Sequence, residues 1–173
     1  MPSRKTLAGL FLLLGLLASP AAATYAGDKP LSTVFHDEFR GGYVYTVGNS
    51  TYSGAISPGG EYAVMFEPEL PADATILYQR IYVYWAWSKL DQNAIYPVFS
   101  LTRTDTGENL AEADRYTDSK GFVSQNDFFS GVDIFTTRDL NPGKNSFEVV
   151  LKNNATDNRT FVVQGIGLLA VYE

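Results

Sequence analysis

The sequence predicts an all-β fold: a β-sandwich, jelly-roll-like, of eight to nine antiparallel strands, following an N-terminal signal peptide. Three observations predict it. No apolar pattern at helical spacing is sustained after residue 23. The apolar runs alternate with a period of two, and turn clusters such as Ser57-Pro58-Gly59-Gly60 and Asp105-Thr106-Gly107 punctuate them at short intervals.

Met1 to Ala23 has the layout of a secretory leader. Arg4 and Lys5 form a positive n-region, Leu7 to Leu17 an apolar h-region, and Ala21-Ala22-Ala23 the small-residue cleavage signal. The apolar run falls short of the about 20 residues that a spanning helix needs, and Pro20 closes it. One domain over residues 24–173 is therefore expected, secreted or at the cell surface, with no membrane insertion after cleavage.

The strands follow in order. Val34 to Phe39 and Gly42 to Val47 read as an early hairpin around Gly41-Gly42, and Glu61 to Phe66 alternates after the Ser57–Gly60 turn. Pro68 to Ala74 breaks the chain. Ile76 to Ser88 is the strongest strand: Ile81, Val83, Trp85 and Trp87 share the face expected in the core, and Tyr78, Arg80, Tyr82 and Tyr84 share the other. Pro97 to Thr104 turns at Asp105-Thr106-Gly107 into Leu110 to Tyr116. A long polar loop, Thr117 to Gly131, carries Phe122, Phe128 and Phe129, which are expected to pin it to the body. Val132 to Thr136, Ser146 to Lys152 and Arg159 to Tyr172 complete the set. In the last, Gly165 and Gly167 mark a bulge or a close backbone approach.

Composition narrows the functions. The full chain has a net charge of −6, and removing Arg4 and Lys5 with the leader leaves 11 basic residues against 19 acidic ones. Such a surface repels nucleic acid, whose affinity comes from cations neutralising phosphates. There is no cysteine, so the exported domain must stand on core packing without disulfides, and thiolate metal sites and a cysteine nucleophile are excluded. Retention at a surface is expected to be non-covalent, by assembly or binding.

Candidate sites are few. His36 is the only histidine and shares a strand face with Glu38, a pair that could serve a hydrolase as acid and base; solvated polar positions of an early strand explain the same letters. No G-x-S-x-G, H-E-x-x-H, phosphate loop or dinucleotide fingerprint is present. Asp114, Asp118, Asp127 and Asp133, with Asn126, would offer oxygens to a structural calcium ion if the long loop folded back; solvated turn aspartates are the alternative. No other cofactor is expected. Asn49, Asn154 and Asn158 open three glycosylation sequons, each at an expected turn. Tyr78, Tyr82 and Tyr84 form an aromatic face on which a sugar could stack, or which a loop could cover.

The runs Ile81 to Ser88, Ala113 to Asp118 and Phe161 to Leu169 carry a resemblance. Over Leu31 to Glu173 the chain resembles the uncharacterised archaeal (methanogen-type) surface-protein β-domains, a family of domains of unknown function often found in larger envelope proteins. The resemblance implies an extracellular β-rich envelope protein and supplies no catalytic residues. The expected function is a secreted or cell-surface structural and interaction module without catalytic activity. It would self-associate or dock onto other envelope proteins, with Thr24 to Phe39 adding as a strand to a neighbour's sheet edge. A carbohydrate-binding module taking polysaccharide on the tyrosine face is the alternative.

Overall fold

A computed structural model describes residues 27–118 and 129–173. These residues form thirteen strands and no helix. In chain order they are β1 (Gly42–Thr46), β2 (Ala55–Ile56), β3 (Glu61–Phe66), β4 (Glu69–Leu70), β5 (Ile76–Leu90), β6 (Asn93–Ala94), β7 (Phe99–Arg103), β8 (Glu108–Asn109), β9 (Glu112–Asp118), β10 (Ser130–Thr136), β11 (Gly143–Lys144), β12 (Phe147–Asn153) and β13 (Thr160–Tyr172). Eight of them are five residues or longer, and the other five are two-residue bridges.

Two antiparallel sheets carry the fold. One runs β1-β13-β5-β10-β9, with β2 also on β13 and β6 on β5; the other runs β3-β12-β7-β8. Among the eight long strands, the first pairs with the last (β1 with β13), the second with the seventh (β3 with β12) and the third with the sixth (β5 with β10). This is a long hairpin wrapped into two layers, the jelly-roll connectivity expected from the sequence. The innermost pair is split between the layers. After the Gly107 turn, where φ is 70°, β8 pairs with β7 in one sheet, and the same stretch of chain then enters the other sheet as β9 beside β10.

Alternation explains which residues face which way. In β12, Phe147, Val149 and Leu151 point inward and Glu148 and Lys152 outward; in β5, Ile81, Val83 and Trp85 point inward. The core closes between these inward faces, with Val64 and Phe66 from β3 and Ile166 and Leu168 from β13 also fully buried. Each such aliphatic side chain contributes roughly 1.5–3 kcal/mol by leaving water, and in a chain without cysteines that burial carries the stability. Phe99 of β7 ties the layers together: its ring centroid lies 5.9 Å from that of Phe135 and 5.4 Å from that of Phe161 in the opposite sheet.

Two expectations are corrected. Val34 to Phe39 forms no strand and no hairpin with β1; the partner of β1 is the last strand, β13. Trp87 is not in the core: it is 44% exposed, with φ at 50°. The ladder pairs Ala86 with Val162 but Lys89 with Thr160, so β5 holds one residue more than β13 over that interval. This bulge resets the alternation, turning Trp87 out while Ala86 and Ser88 are buried. Phe129 packs on the body, edge-on to Trp85 with centroids 5.2 Å apart, whereas Phe122 and Phe128 lie outside the described residues.

Candidate functional site: the outer aromatic face

The outer surface of the five-strand sheet carries Tyr43 and Tyr45 from β1 and Tyr82 and Tyr84 from β5. Pairing register sets them in rows, since residues opposite one another in a ladder share a face. Tyr43 of β1 lies in line with Val171 and Tyr78, and Tyr45 with Leu169 and Arg80. The next rows are Gly167, Tyr82, Ile134 and Asp114, then Gly165, Tyr84, Val132 and Tyr116.

The face is open at its centre and at the β1 side, and covered toward Tyr78 and Tyr116. Tyr82 and Tyr84 lie with centroids 6.4 Å apart and planes 19° from parallel, and Tyr84 is 38% exposed. From β1, Tyr45 reaches across β13 and donates its hydroxyl to Tyr84 Oη at 3.4 Å. Gly167 makes that reach possible: a Cβ there would stand 2.9 Å from Tyr45 Cζ, too close for the ring to stay where it is. What passes close over Gly167 is the Tyr45 side chain and not another stretch of backbone, and the ladder irregularity lies beside Gly165. Burial, with Tyr78 next to it, pushes the Tyr82 phenol up to about 12, and Tyr84 is raised by burial first and then by its hydrogen bond with Tyr45. Both therefore present neutral hydroxyls over the whole physiological range.

Tyr78 is covered. Phe35 stacks on its ring at 5.0 Å, and the Arg80 guanidinium lies 4.5 Å from the ring centre. Phe35 belongs to a strap, residues 27–40, that crosses this face instead of forming the expected strand. The strap is fixed at β9, where Asp28 N donates to Thr117 O at 2.8 Å and Thr117 Oγ1 donates to Asp28 Oδ2 at 2.7 Å. Lys29 pairs with Asp114 and sits 4.3 Å above the Tyr116 ring. Between the strap and β1/β13 lies a groove of about 710 Å³ lined by Phe35, His36, Phe39, Tyr43, Leu169 and Val171.

The other sequence-derived candidates fall in different places. His36 lines the rim of that groove, while Glu38, also on the strap, is exposed and donates its amide to Asp37 Oδ1 at 2.8 Å. No strand aligns the two on one face. Asp114 and Asp133 lie on opposite sides of the sheet, because the ladder sets Asp114 opposite Ile134 and Asp133 opposite Arg115. Asp114 faces outward, and Lys29 holds its carboxyl below the usual range. Asp133 is fully buried: Trp85 Nε1 and Arg115 Nε each donate to its Oδ1 at 2.8 Å, and Arg115 Nη2 donates to Oδ2. Asp118 ends β9 opposite Ser130, and Asp127 and Asn126 lie outside the described residues. Among the described residues no three carboxylate or imidazole groups gather as a metal set.

The sequons sit where turns were expected. Asn49 follows β1, its Oδ1 accepting from Met65 N at 2.8 Å; Asn154 and Asn158 are exposed between β12 and β13. Tyr43 and Tyr45 were not among the sequence-derived site residues. Their signal was the alternation Tyr43-Val44-Tyr45, but only the pairing of β1 with β13 places those rings beside Tyr84.

A family model described as a protein of unknown function (DUF3344) matches residues 24–173. No curated protein and no solved structure matches the chain.

Proposed function

The chain belongs to the DUF3344 family of proteins of unknown function, and from that premise we propose that it is a secreted or cell-surface module of the envelope, acting by contact and not by catalysis. The observation that carries this reading is the outer face itself, where Tyr45, Tyr82 and Tyr84 stand partly exposed and braced against one another over three adjacent strands. Exposed aromatic surface on an otherwise well-packed domain is a mark of an interaction site. The leader-like segment before residue 24 and the neutral phenols support an extracellular contact role, in which the module self-associates or docks onto other envelope proteins. Sedimentation of the secreted chain at rising concentration, with and without calcium, tests it. Mass should rise with concentration, and a single monomeric species throughout would remove self-association.

A second reading has its own observation. The near-parallel Tyr82 and Tyr84 rings make a flat ledge of the kind on which the C–H face of a sugar stacks, so polysaccharide is the alternative ligand. Glycan-array binding abolished by Tyr82→Ala but kept by a Tyr52→Ala control would favour it; silence on every polysaccharide would dismiss it.

A further inference from the structure

We infer that β1 is the seam at which two copies of this chain join, pairing antiparallel about a two-fold axis at Val44 so that two sheets become one. The inference rests on the self-association reading above and gives it a surface. A strand at a sheet margin presents unpaired backbone N–H and C=O groups, and folded proteins blunt such margins with charge, proline, short strands or a covering segment. Three margins here are blunted. β9 carries Glu112, Asp114, Arg115 and Asp118, and the strap bonds its backbone at Thr117. β3 begins at Glu61, and Asn49 bonds both the N–H and the C=O of Met65. β8 is only two residues long.

The margin at β1 has none of these devices. Gly42 to Thr46 contains no charge and no proline, and β13 is its only ladder partner among the described residues. It lies in an uncharged run from Gly41 to Gly60, the longest between residue 28 and the C-terminus.

Charge and symmetry select the occupant. A chain of net charge −6 repels a second copy over most of its surface, and a neutral strand lets two copies meet without opposing like charges. Antiparallel pairing of identical strands is isologous and closes as a dimer. With the axis at Val44, Tyr43 falls opposite the partner's Tyr45, and Tyr45 opposite the partner's Tyr43. Aromatic cross-strand pairs of this kind stabilise a sheet. An axis perpendicular to the sheet also leaves both outer faces on one side, so the two tyrosine ledges become one continuous surface.

The test uses the secreted chain and two charge variants, Tyr43→Lys/Tyr45→Lys and Tyr43→Glu/Tyr45→Glu, at positions 71% and 48% exposed. Circular dichroism checks the fold, and sedimentation equilibrium gives the mass from micromolar to millimolar concentration. The wild-type mass should double, and each variant alone should dissociate about tenfold more readily or worse. An equimolar mixture of the two variants should recover the dimer, because opposite charges then meet across the axis. If the variants misfold, amide exchange of the wild type decides: β1 amides should slow on dimerisation, and unchanged exchange overturns the seam. A wild type that doubles in mass alongside variants that double as readily also overturns it, while leaving self-association standing through another surface. A wild type that never doubles removes both.

Discussion

The two sides of β5 obey different rules. Inward, Ile81, Val83 and Trp85 are at most 1% exposed, and the one polar group among them, the Trp85 indole N–H, is closed by Asp133. Outward, Tyr82 and Tyr84 touch each other, Tyr45 and water. The strand and its period are common to both sides. What differs is the cover: a whole second sheet on one, a strap reaching only as far as Tyr78 and Tyr116 on the other. Alternation therefore sorts side chains to faces, while remote chain decides how dry each face becomes.

The contrast breaks most severely from the inside. Asp133→Ala leaves the Arg115 guanidinium and the Trp85 indole without their shared acceptor, and should lower unfolding free energy by about 3 kcal/mol, the low end for a broken buried pair because Arg115 keeps some contact with water. Urea denaturation measures this, and a loss below about 1 kcal/mol would mean the pair is not closed as described.

Alkali probes the outer side. Well below pH 10 Tyr82 and Tyr84 are neutral in both folded and unfolded chains and contribute no pH dependence. Above it the unfolded phenols ionise first, because the folded values are raised, so stability falls as pH climbs from 10 toward 12. The loss should be on the order of 1 kcal/mol per ring at most, after allowing for solvent screening. Thermal melts between pH 8 and about 11, followed with tyrosinate absorbance, should show Tyr82→Phe flattening the curve.

The smallest effect tests the geometry of the ledge. Gly167→Ala puts a methyl group against the end of the Tyr45 ring, which is 48% exposed and can swing away, so the cost should stay under about 1 kcal/mol. The fluorescence and exposure of Tyr45 should nonetheless change as its bond to Tyr84 is lost. An unaltered tyrosine environment would mean Gly167 does not seat that ring.

Much of this was legible in local pattern. Period-two alternation located the long strands from β3 to β13, and the pair Gly165 and Gly167 marked the place where the ladder slips and a ring crosses over. Trp87 was misjudged because a single inserted residue reverses every later side chain, and hydrophobicity carries no record of the insertion; the small neighbours Ala86 and Ser88 were the only hint. The early hairpin failed because β1 pairs with the opposite end of the chain, a choice made by wrapping and not by adjacent residues. Asp114 and Asp133 looked alike as letters. Their separation to opposite faces depends on ladder register, which only pairing with a distant strand defines.

The passage from β8 to β9 has a mechanical consequence. Leu110 N bonds to Leu101 O in one layer, and the very next residue, Ala111, accepts from Thr136 N in the other. The polypeptide itself is a stitch through the sandwich, so sliding one layer past the other must tear hydrogen bonds in both at once. In a cysteine-free domain this thread supplies a tie between the layers that other folds obtain from a covalent bridge.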